Sequence, residues 1–465
     1  MSSKWQSIIP VKSIYILIKQ SLSGESQDYT QGSIRRAVFL LSIPMILEMC
    51  MESVFAVVDI FFVGRIGSGA VATVGLTESV LTIVYSVAMG FSMAATAIVA
   101  RRIGEKNPEG ASKSAVQAII TVLGITLVVS ITGSVYSREI LQLMGAPPEV
   151  VQMGFPYTRI IFGGSVVIMM LFLINGIFRG AGNASIAMWS LWIANGCNII
   201  LCPIMIHFYG LPGAAIATTI GRGIGVCYQL YHLFKGTGAI RLLKVYFIPD
   251  WTIIRSITNI AWSGAVQFLI GSASWIALAR IIAHFGKDAI AGYQVAIRIL
   301  LFFLLPAWGM SNAAATLVGQ NLGAQQPKRA EESVWAAAKY NAIFMAFVSA
   351  LFLVASGPIV GIINKDPEVE KMAVETLHIV TLGYIFYGVG MVLTNAFNGA
   401  GDTKTPTIIN LFCFWAFQVP LAYLLAITFS LGPRGVFLAI IIAETAITLV
   451  SFAVFRKGSW KKVKV

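Results

Sequence analysis

Three carboxylates within one apolar stretch offer the most chemistry in this sequence. Glu48, Glu52 and Asp59 lie in L-S-I-P-M-I-L-E-M-C-M-E-S-V-F-A-V-V-D-I-F-F-V-G, where most other residues are hydrophobic. At about 100° per residue, steps of four and eleven positions place all three within roughly 40° on one helical face. An acid at the centre of a membrane helix costs about 2.5–3.5 kcal/mol on insertion scales, so this stripe lines a wet cavity or meets partners inside a bundle. Carboxylates sharing a poorly solvated site repel one another and bind protons more tightly. The chemistry this suits is a proton or cation relay. For Glu48 the alternative is a headgroup position near the helix end, which would leave Asp59 as the deep acid.

Other polar groups are spaced to join that relay. In I-A-N-G-C-N-I-I-L-C-P, Asn195, Asn198 and Cys202 recur every three or four residues and share one face. Thr218 and Thr219 in G-A-A-I-A-T-T offer hydroxyls, although small residues there equally serve close helix contact. Pro44 lacks an amide donor and clashes with the carbonyl four residues earlier, so it either bends the first helix or belongs to its first turn. In the second half, Gln267, Tyr293, Gln294, Tyr384 and Tyr387 are candidates to line a substrate pocket, with aromatic packing as the alternative reading. Arg298, Lys339 and Glu444 are intramembrane charges best read as structural pairs. Motifs for bond chemistry are missing: there is no G-x-x-x-x-G-K-[ST], no H-E-x-x-H and no G-x-S-x-G. The chain is therefore expected to be no enzyme, to carry no cofactor or metal, and to draw energy from an ion gradient.

Long apolar helices must position these groups. The 465 residues are 57% hydrophobic and only 11% charged, with a mean hydropathy of +0.80, which excludes an ordinary soluble protein. A β-barrel is excluded too, because the apolar runs do not alternate. Twelve spans fall near 37–64, 68–100, 110–136, 152–179, 184–207, 212–234, 253–284, 288–319, 330–357, 371–398, 404–428 and 434–455. This gives an all-α membrane protein with a tail over 1–36, an amino-terminal lobe over 37–234, a basic linker over 235–252, a carboxyl-terminal lobe over 253–455 and a basic tail over 456–465. An interfacial helix over Trp5 to Leu22 is the alternative to a plain tail. With the amino terminus inside, 22 of the 33 Lys and Arg residues lie in the even loops and tails and six in the opposite loops. That asymmetry explains the net charge of +13 as a positive-inside signal with both termini cytoplasmic, and not as nucleic-acid binding. The five cysteines sit inside apolar spans, so no disulfide is expected.

The halves are copies. Gly67 and Gly286, Gly90 and Gly309, and Gly104 and Gly323 are each 219 apart, as are the Pro148-Glu149-Val150 and Pro367-Glu368-Val369 triplets and Gly180-Ala181-Gly182 and Gly399-Ala400-Gly401. Six spans per copy is even, so both halves enter from the same side. Parallel repeats of this kind place the substrate between the halves and alternate its access by rocking one against the other.

From about residue 30 to 455 the chain resembles the multidrug and toxic compound extrusion (MATE) family. The resemblance rests on Pro44 fifteen residues before Asp59, then V-G-R-I-G, A-T-A-I-V-A-R-R-I-G-E-K-N, N-I-I-L-C-P, G-A-A-I-A-T, A-G-Y-Q-V-A-I-R-I, L-V-G-Q-N-L-G-A and N-G-A-G-D-T-K-T-P in order. It implies a V-shaped, two-lobed twelve-helix bundle in a bacterial inner membrane. That bundle would export organic, often cationic or amphipathic compounds in exchange for H+ or Na+. It also implies an amino-terminal cation site, with Asp59, Asn198 and Thr218 or Thr219 matching the family's aspartate, asparagine and threonine, and Pro44 its bend-forming proline. Two departures bear on the ion. Cys202 stands where many members carry an aspartate, and Gln267 where another branch carries a glutamate. A thiol is a poor ligand for Na+, so H+ is the favoured coupling ion, with Glu52 as a second carboxylate. Membrane lipid and a small organic substrate are the expected partners, and the chain is expected to be a monomer. The rival readings are a lipid-linked saccharide flippase and a structural membrane protein without transport.

Overall fold

The regular elements are helices throughout, because each apolar run is long enough to satisfy its own backbone hydrogen bonds, as a lipid environment demands. A computed structural model describes residues 11–24, 27–236 and 238–465. Its elements in order are α1 (Val11–Leu22), α2 (Ile34–Gly64), α3 (Ser68–Gly104), α4 (Pro108–Val135), α5 (Ser137–Leu143), α6 (Pro148–Gly163), α7 (Ser165–Gly180), α8 (Ala184–Tyr209) and α9 (Leu211–Lys235). The second half holds α10 (Trp251–Ala283), α11 (Lys287–Gly323), α12 (Pro327–Ile363), α13 (Pro367–Thr381), α14 (Tyr384–Ala400), α15 (Lys404–Asn410), α16 (Val419–Tyr423) and α17 (Pro433–Lys457).

Among the described residues, eight segments are long and apolar enough to cross a membrane, counting Lys404–Thr428 as one, or ten if each of two bent pairs is one span. The helices α2 and α9 complete the twelve-span fold; α2 carries three acids and α9 an arginine within otherwise apolar sequence. Three spans are less regular than expected. The fourth is broken into α6 and α7, bent by 40°, where Gly163 and Gly164 adjoin, and the tenth into α13 and α14, bent by 60° around Gly383. The eleventh loosens into π-helical turns at Leu411–Gln418 and Leu424–Thr428, on either side of Pro420, which has no amide to donate. Of the expected interfacial helix, Val11–Leu22 is helical, and Trp5 to Pro10 lie outside the described residues. The linker is docked: Gln117 on α4 donates to the carbonyls of Tyr246 (2.7 Å) and Ile248 (2.9 Å), and Lys113 pairs with Asp250 (2.7 Å).

The lobes exchange the first halves of their first helices. The first half of α2 (Ala37, Val38, Leu40, Leu41, Met45) packs in a core with α11, α12 and α14, while Ile257, Ile260 and Ala261 of α10 join the core of α3 to α9. Both crossings need glycine. A Cβ on Gly90 would lie 2.2 Å from the Ala261 carbonyl oxygen, and one on Gly309 would lie 2.5 Å from that of Met45. The repeat thus stamps one backbone-to-backbone contact twice.

The lobes meet at the face carrying the tails and part toward the opposite face. The last halves of α3 and α11 are buried against each other, with Gly104 against the Gln320 backbone and Gly323 against the Arg101 backbone. Two straps cross that seam. Gly24 and residues 27–32 are held by Asn183 (to the Gly24 carbonyl, 3.2 Å) and by Lys106 (to Asp28, 2.6 Å) on one side, and on the other by Arg329, which donates to the carbonyls of Tyr29, Gln31 and Gly32. Burial works to raise the Asp28 carboxyl, but hydrogen bonds from Lys106 and Thr30 outweigh it and hold the group below its ordinary value. In the second strap Trp460 is fully buried and stacked on Phe455 at 4.7 Å; Lys461 pairs with Glu331, and the Val463 carbonyl accepts from Arg101 at 2.8 Å. Trp460→Ala is expected to remove about 3–5 kcal/mol of local packing. Amide exchange over residues 97–104 and 316–323 should then quicken by tenfold or more, on the order of what such a loss allows. Unchanged exchange there would mean the strap does not hold the seam.

Candidate functional site

The acidic stripe of α2 faces α7, α8 and α9, and each acid meets a different environment. Glu48 is 1% exposed. It accepts from Asn175 Nδ2 (3.0 Å) and Arg179 Nη1 (3.4 Å) of α7, so the headgroup alternative is overturned: this acid is an internal ion pair. Asn175 is itself fixed by Ser190 and Gln229, and Arg179 donates on to Ser92 Oγ at 2.8 Å. Both contacts fall on Glu48 Oε1, and Oε2 is buried with no hydrogen-bond partner among the described residues, so the pair is held on one oxygen only.

One turn on, Glu52 accepts from Arg222 Nη2 of α9 (3.3 Å) and Asn195 Nδ2 of α8 (3.1 Å). Arg222 is almost wholly buried, and its guanidinium lies 5.2, 5.8 and 5.9 Å from the ring centres of Phe55, Tyr85 and Phe172. Its Nε and Nη1 have no hydrogen-bond partner among the described residues. Cation–π contacts offset part of the desolvation of this charge, yet two donors remain unanswered.

Asp59 lies five residues before the end of α2, about 8 Å of helix from the open face. It is 8% exposed and forms no ion pair among the described residues. Among the described residues its one neighbour within hydrogen-bonding reach is the Cys202 thiol, 4.0 Å from Oδ1, which is a weak contact. On the same face of α8, Asn198 Nδ2 donates to Thr218 Oγ1 at 2.9 Å, and its Oδ1 is buried without a partner. Thr218, and not Thr219, therefore completes this cluster; Thr219 packs against Gly164. Of the three residues grouped by periodicity, Asn195 and Cys202 meet acids of α2, while Asn198 bonds Thr218 of α9. Arg222 and Arg179 were missed as partners, although an arginine within the sixth span was a readable signal that an internal acid would have to answer it.

Beside Glu52 a cavity of about 220 Å³ opens between the lobes, at the depth where α3 and α11 begin to separate. From one lobe it is lined by Glu52, Tyr85, Met89 and Phe172, and from the other by Phe268, Trp308, Asn312 and Asn398. Phe268 and Trp308 stack at 6.1 Å. Apolar and aromatic walls with a few amides suit amphipathic organic molecules without fixing one shape.

Gln267, Tyr293 and Tyr387 do not line this cavity, which corrects the sequence expectation. Gln267 is one position, and so about 100° of helix, away from the cavity-facing Phe268. Tyr293 stacks on Phe437 at 6.4 Å inside the second lobe, and Tyr387 belongs to a separate small cavity there. Arg298 and Lys339 are exposed and form no ion pair among the described residues, contrary to their reading as structural pairs. Pro44 lies ten residues inside an unbroken α2, so it does not open the helix. The Leu40 carbonyl beside it loses its helical donor, leaving the bend as the remaining role for this proline.

Comparison with known proteins adds to this geometry. The profile of the MatE family matches residues 44–204 and 265–424, one stretch in each repeat. A probable multidrug resistance protein NorM from Thermotoga maritima is 24% identical, over 96% of this chain and 97% of its own length. A probable multidrug resistance protein YoeA from Bacillus subtilis is 25% identical, over 95% and 97%. A crystal structure of a MATE protein in complex with MaL6 superposes with a TM-score of 0.90 at 25% identity, covering 94% of this chain and 100% of that one.

Proposed function

This chain belongs to the MatE family, and from that premise we propose that it is a secondary active antiporter. It exports organic, often cationic or amphipathic compounds across a bacterial inner membrane in exchange for protons. The tail-bearing face is cytoplasmic, the protein acts as a monomer, and the state described above is open to the outside. The observation that carries the reading is Asp59: a carboxylate within the bundle, free of any ion pair among the described residues, beside an arginine with unanswered donors.

A proton arriving from the open face neutralises Asp59 or Glu52. With Glu52 neutral, Arg222 re-pairs with Asp59; with Asp59 neutral, it is held by Glu52 alone, which it already meets at 3.3 Å; in either case α2 shifts about Pro44. Because α2 packs on both lobes, a change in its path alters how the lobes meet and how the cavity wall is shaped. Protons are favoured over Na+ because the cluster offers few free oxygens, places a thiol beside Asp59 and holds a cation nearby. A saccharide flippase would need free cations for its phosphates. Arg179, the one cation lining the cavity among the described residues, is already held by Glu48 and Ser92.

The test is efflux of a fluorescent organic cation from proteoliposomes. One unit of inward proton gradient carries about 1.4 kcal/mol per proton and is expected to drive about tenfold accumulation per proton coupled. A sodium gradient alone should drive none. Equal driving by sodium would remove proton coupling, and indifference to both gradients would remove antiport.

A further inference from the structure

Arg222 and Glu444 occupy the same place in the two repeats. Gly210, with φ of 62°, is matched by Gly432 with φ of 63°, and Gly213 by Gly435, each pressed against the backbone of the preceding helix. The local offset of 222 set by these glycines carries Arg222 onto Glu444. The first lobe therefore has a buried cation answered by Glu52. The second lobe has a buried anion, 7% exposed, whose carboxylate has no hydrogen bond or ion pair among the described residues.

The surroundings of Glu444 form a built site. With Trp275, Leu304, Tyr384 and Tyr387 it lines a cavity of about 20 Å³, enough for about one water molecule. The Tyr384 hydroxyl, on a side chain 3% exposed, is buried without a hydrogen-bond partner among the described residues. The cavity walls are almost wholly apolar, and the Glu444 carboxylate and the Tyr384 hydroxyl are polar groups carried by its lining residues. Gly383, at the 60° break between α13 and α14, is on the cavity wall, and irregular backbone at membrane depth persists where it is enclosed by protein or lines a wet cavity. The titratable groups acting on Glu444 are Tyr384 and Tyr387 from α14 and Cys413 from the first π-helical segment. Glu375 and Arg434 pair with each other at one end of α17, Lys461 is taken by Glu331 at the other, and His378 of α13 is bonded to Ser356. Ionised, Glu444 is met by no cation among the described residues, and an almost wholly apolar cavity beside it favours the neutral acid.

We propose that Glu444 is a second proton-binding site, loaded and emptied once per cycle, so that two protons enter for each substrate exported. This rests on the antiport reading above and extends it to the other lobe. The test uses the full chain in proteoliposomes with the membrane potential clamped at zero and a fixed gradient of tetraphenylphosphonium, the pH gradient being varied until net flux vanishes. In Glu444→Gln the balancing pH gradient is expected to rise about twofold, since one decade of substrate and one proton crossing one pH unit carry the same free energy, whereas Glu444→Asp should balance as the wild type does. An unchanged balance point in Glu444→Gln overturns the proposal. If that variant does not fold or does not transport, Tyr384→Phe decides. Loss of the hydroxyl should move the proton concentration for half-maximal efflux by about threefold or more, and no movement overturns the proposal. Asp59→Asn serves as the control: if it leaves proton-driven efflux intact, the reading of the amino-terminal site fails while Glu444 is still judged on its own balance point.

Discussion

Asp59→Asn is expected to abolish proton-driven export and to leave substrate binding nearly intact. The amide is close in size and polarity, so α2 should fold as before, but it cannot gain and lose a proton between its two exposures to solvent. Efflux under an imposed pH gradient is expected to fall by on the order of 100-fold, within the usual range for removing an essential proton carrier. Substrate affinity should change by less than about threefold, because Asp59 is outside the lining of the interlobe cavity and a side chain without a ligand contact acts only through its neighbours. Efflux assays on vesicles and equilibrium binding on the solubilised protein separate the two effects. Gradient-driven efflux at the wild-type rate in Asp59→Asn would remove this residue from the mechanism, and a parallel loss of binding would make it a ligand group instead. Asp59→Glu should retain part of the coupling, since the longer acid keeps the proton and shifts it by about one methylene.

The second large effect is structural. Gly90→Val is expected to prevent α10 from seating on α3, since even a Cβ would lie 2.2 Å from the Ala261 carbonyl oxygen and 2.6 Å from the Ala265 nitrogen. Both obstacles are backbone, so no rotamer relieves them. The cost should reach about 3 kcal/mol or more, the upper end for overpacking. Thermal unfolding followed by size-exclusion fluorescence should show a clear drop in melting temperature or loss of the monodisperse species. Gly309→Val should behave alike against Met45, where the corresponding distance is 2.5 Å. Gly196→Val, with open space around its Cβ, is the control and should melt close to the wild type. Wild-type melting in Gly90→Val would mean that the close crossing of α3 and α10 is not required.

Much of this was legible from residues alone, and the reason is periodicity. Apolar runs of sufficient length have one stable form in lipid, so the spans could be placed closely, and identical landmarks 219 residues apart could not be hidden by divergence elsewhere. The acidic face of α2 and the amide face of α8 were readable for the same reason. Helix geometry fixes which side chains share a face before any tertiary contact forms. Irregular backbone was less legible. The breaks at Gly164 and Gly383 sit inside uninterrupted apolar sequence, where hydropathy carries no sign of a change in direction.

The sequence by itself determined that the chain lives in a bilayer, that its halves are copies, and that acids on the first span had to face inward, because the cost of charge in hydrocarbon leaves no other outcome. Tertiary structure alone decided how those acids divide. Glu48 pairs with Arg179, Glu52 with Arg222, and Asp59 has no ion pair among the described residues. It also decided that Phe268 and not Gln267 meets the cavity, and that Glu444 lies opposite a tyrosine with no cation in reach. Ion pairing depends on which helices become neighbours and at what height, and neighbours distant in sequence are chosen by packing across the whole bundle. No single helix carries that information in its own spacing.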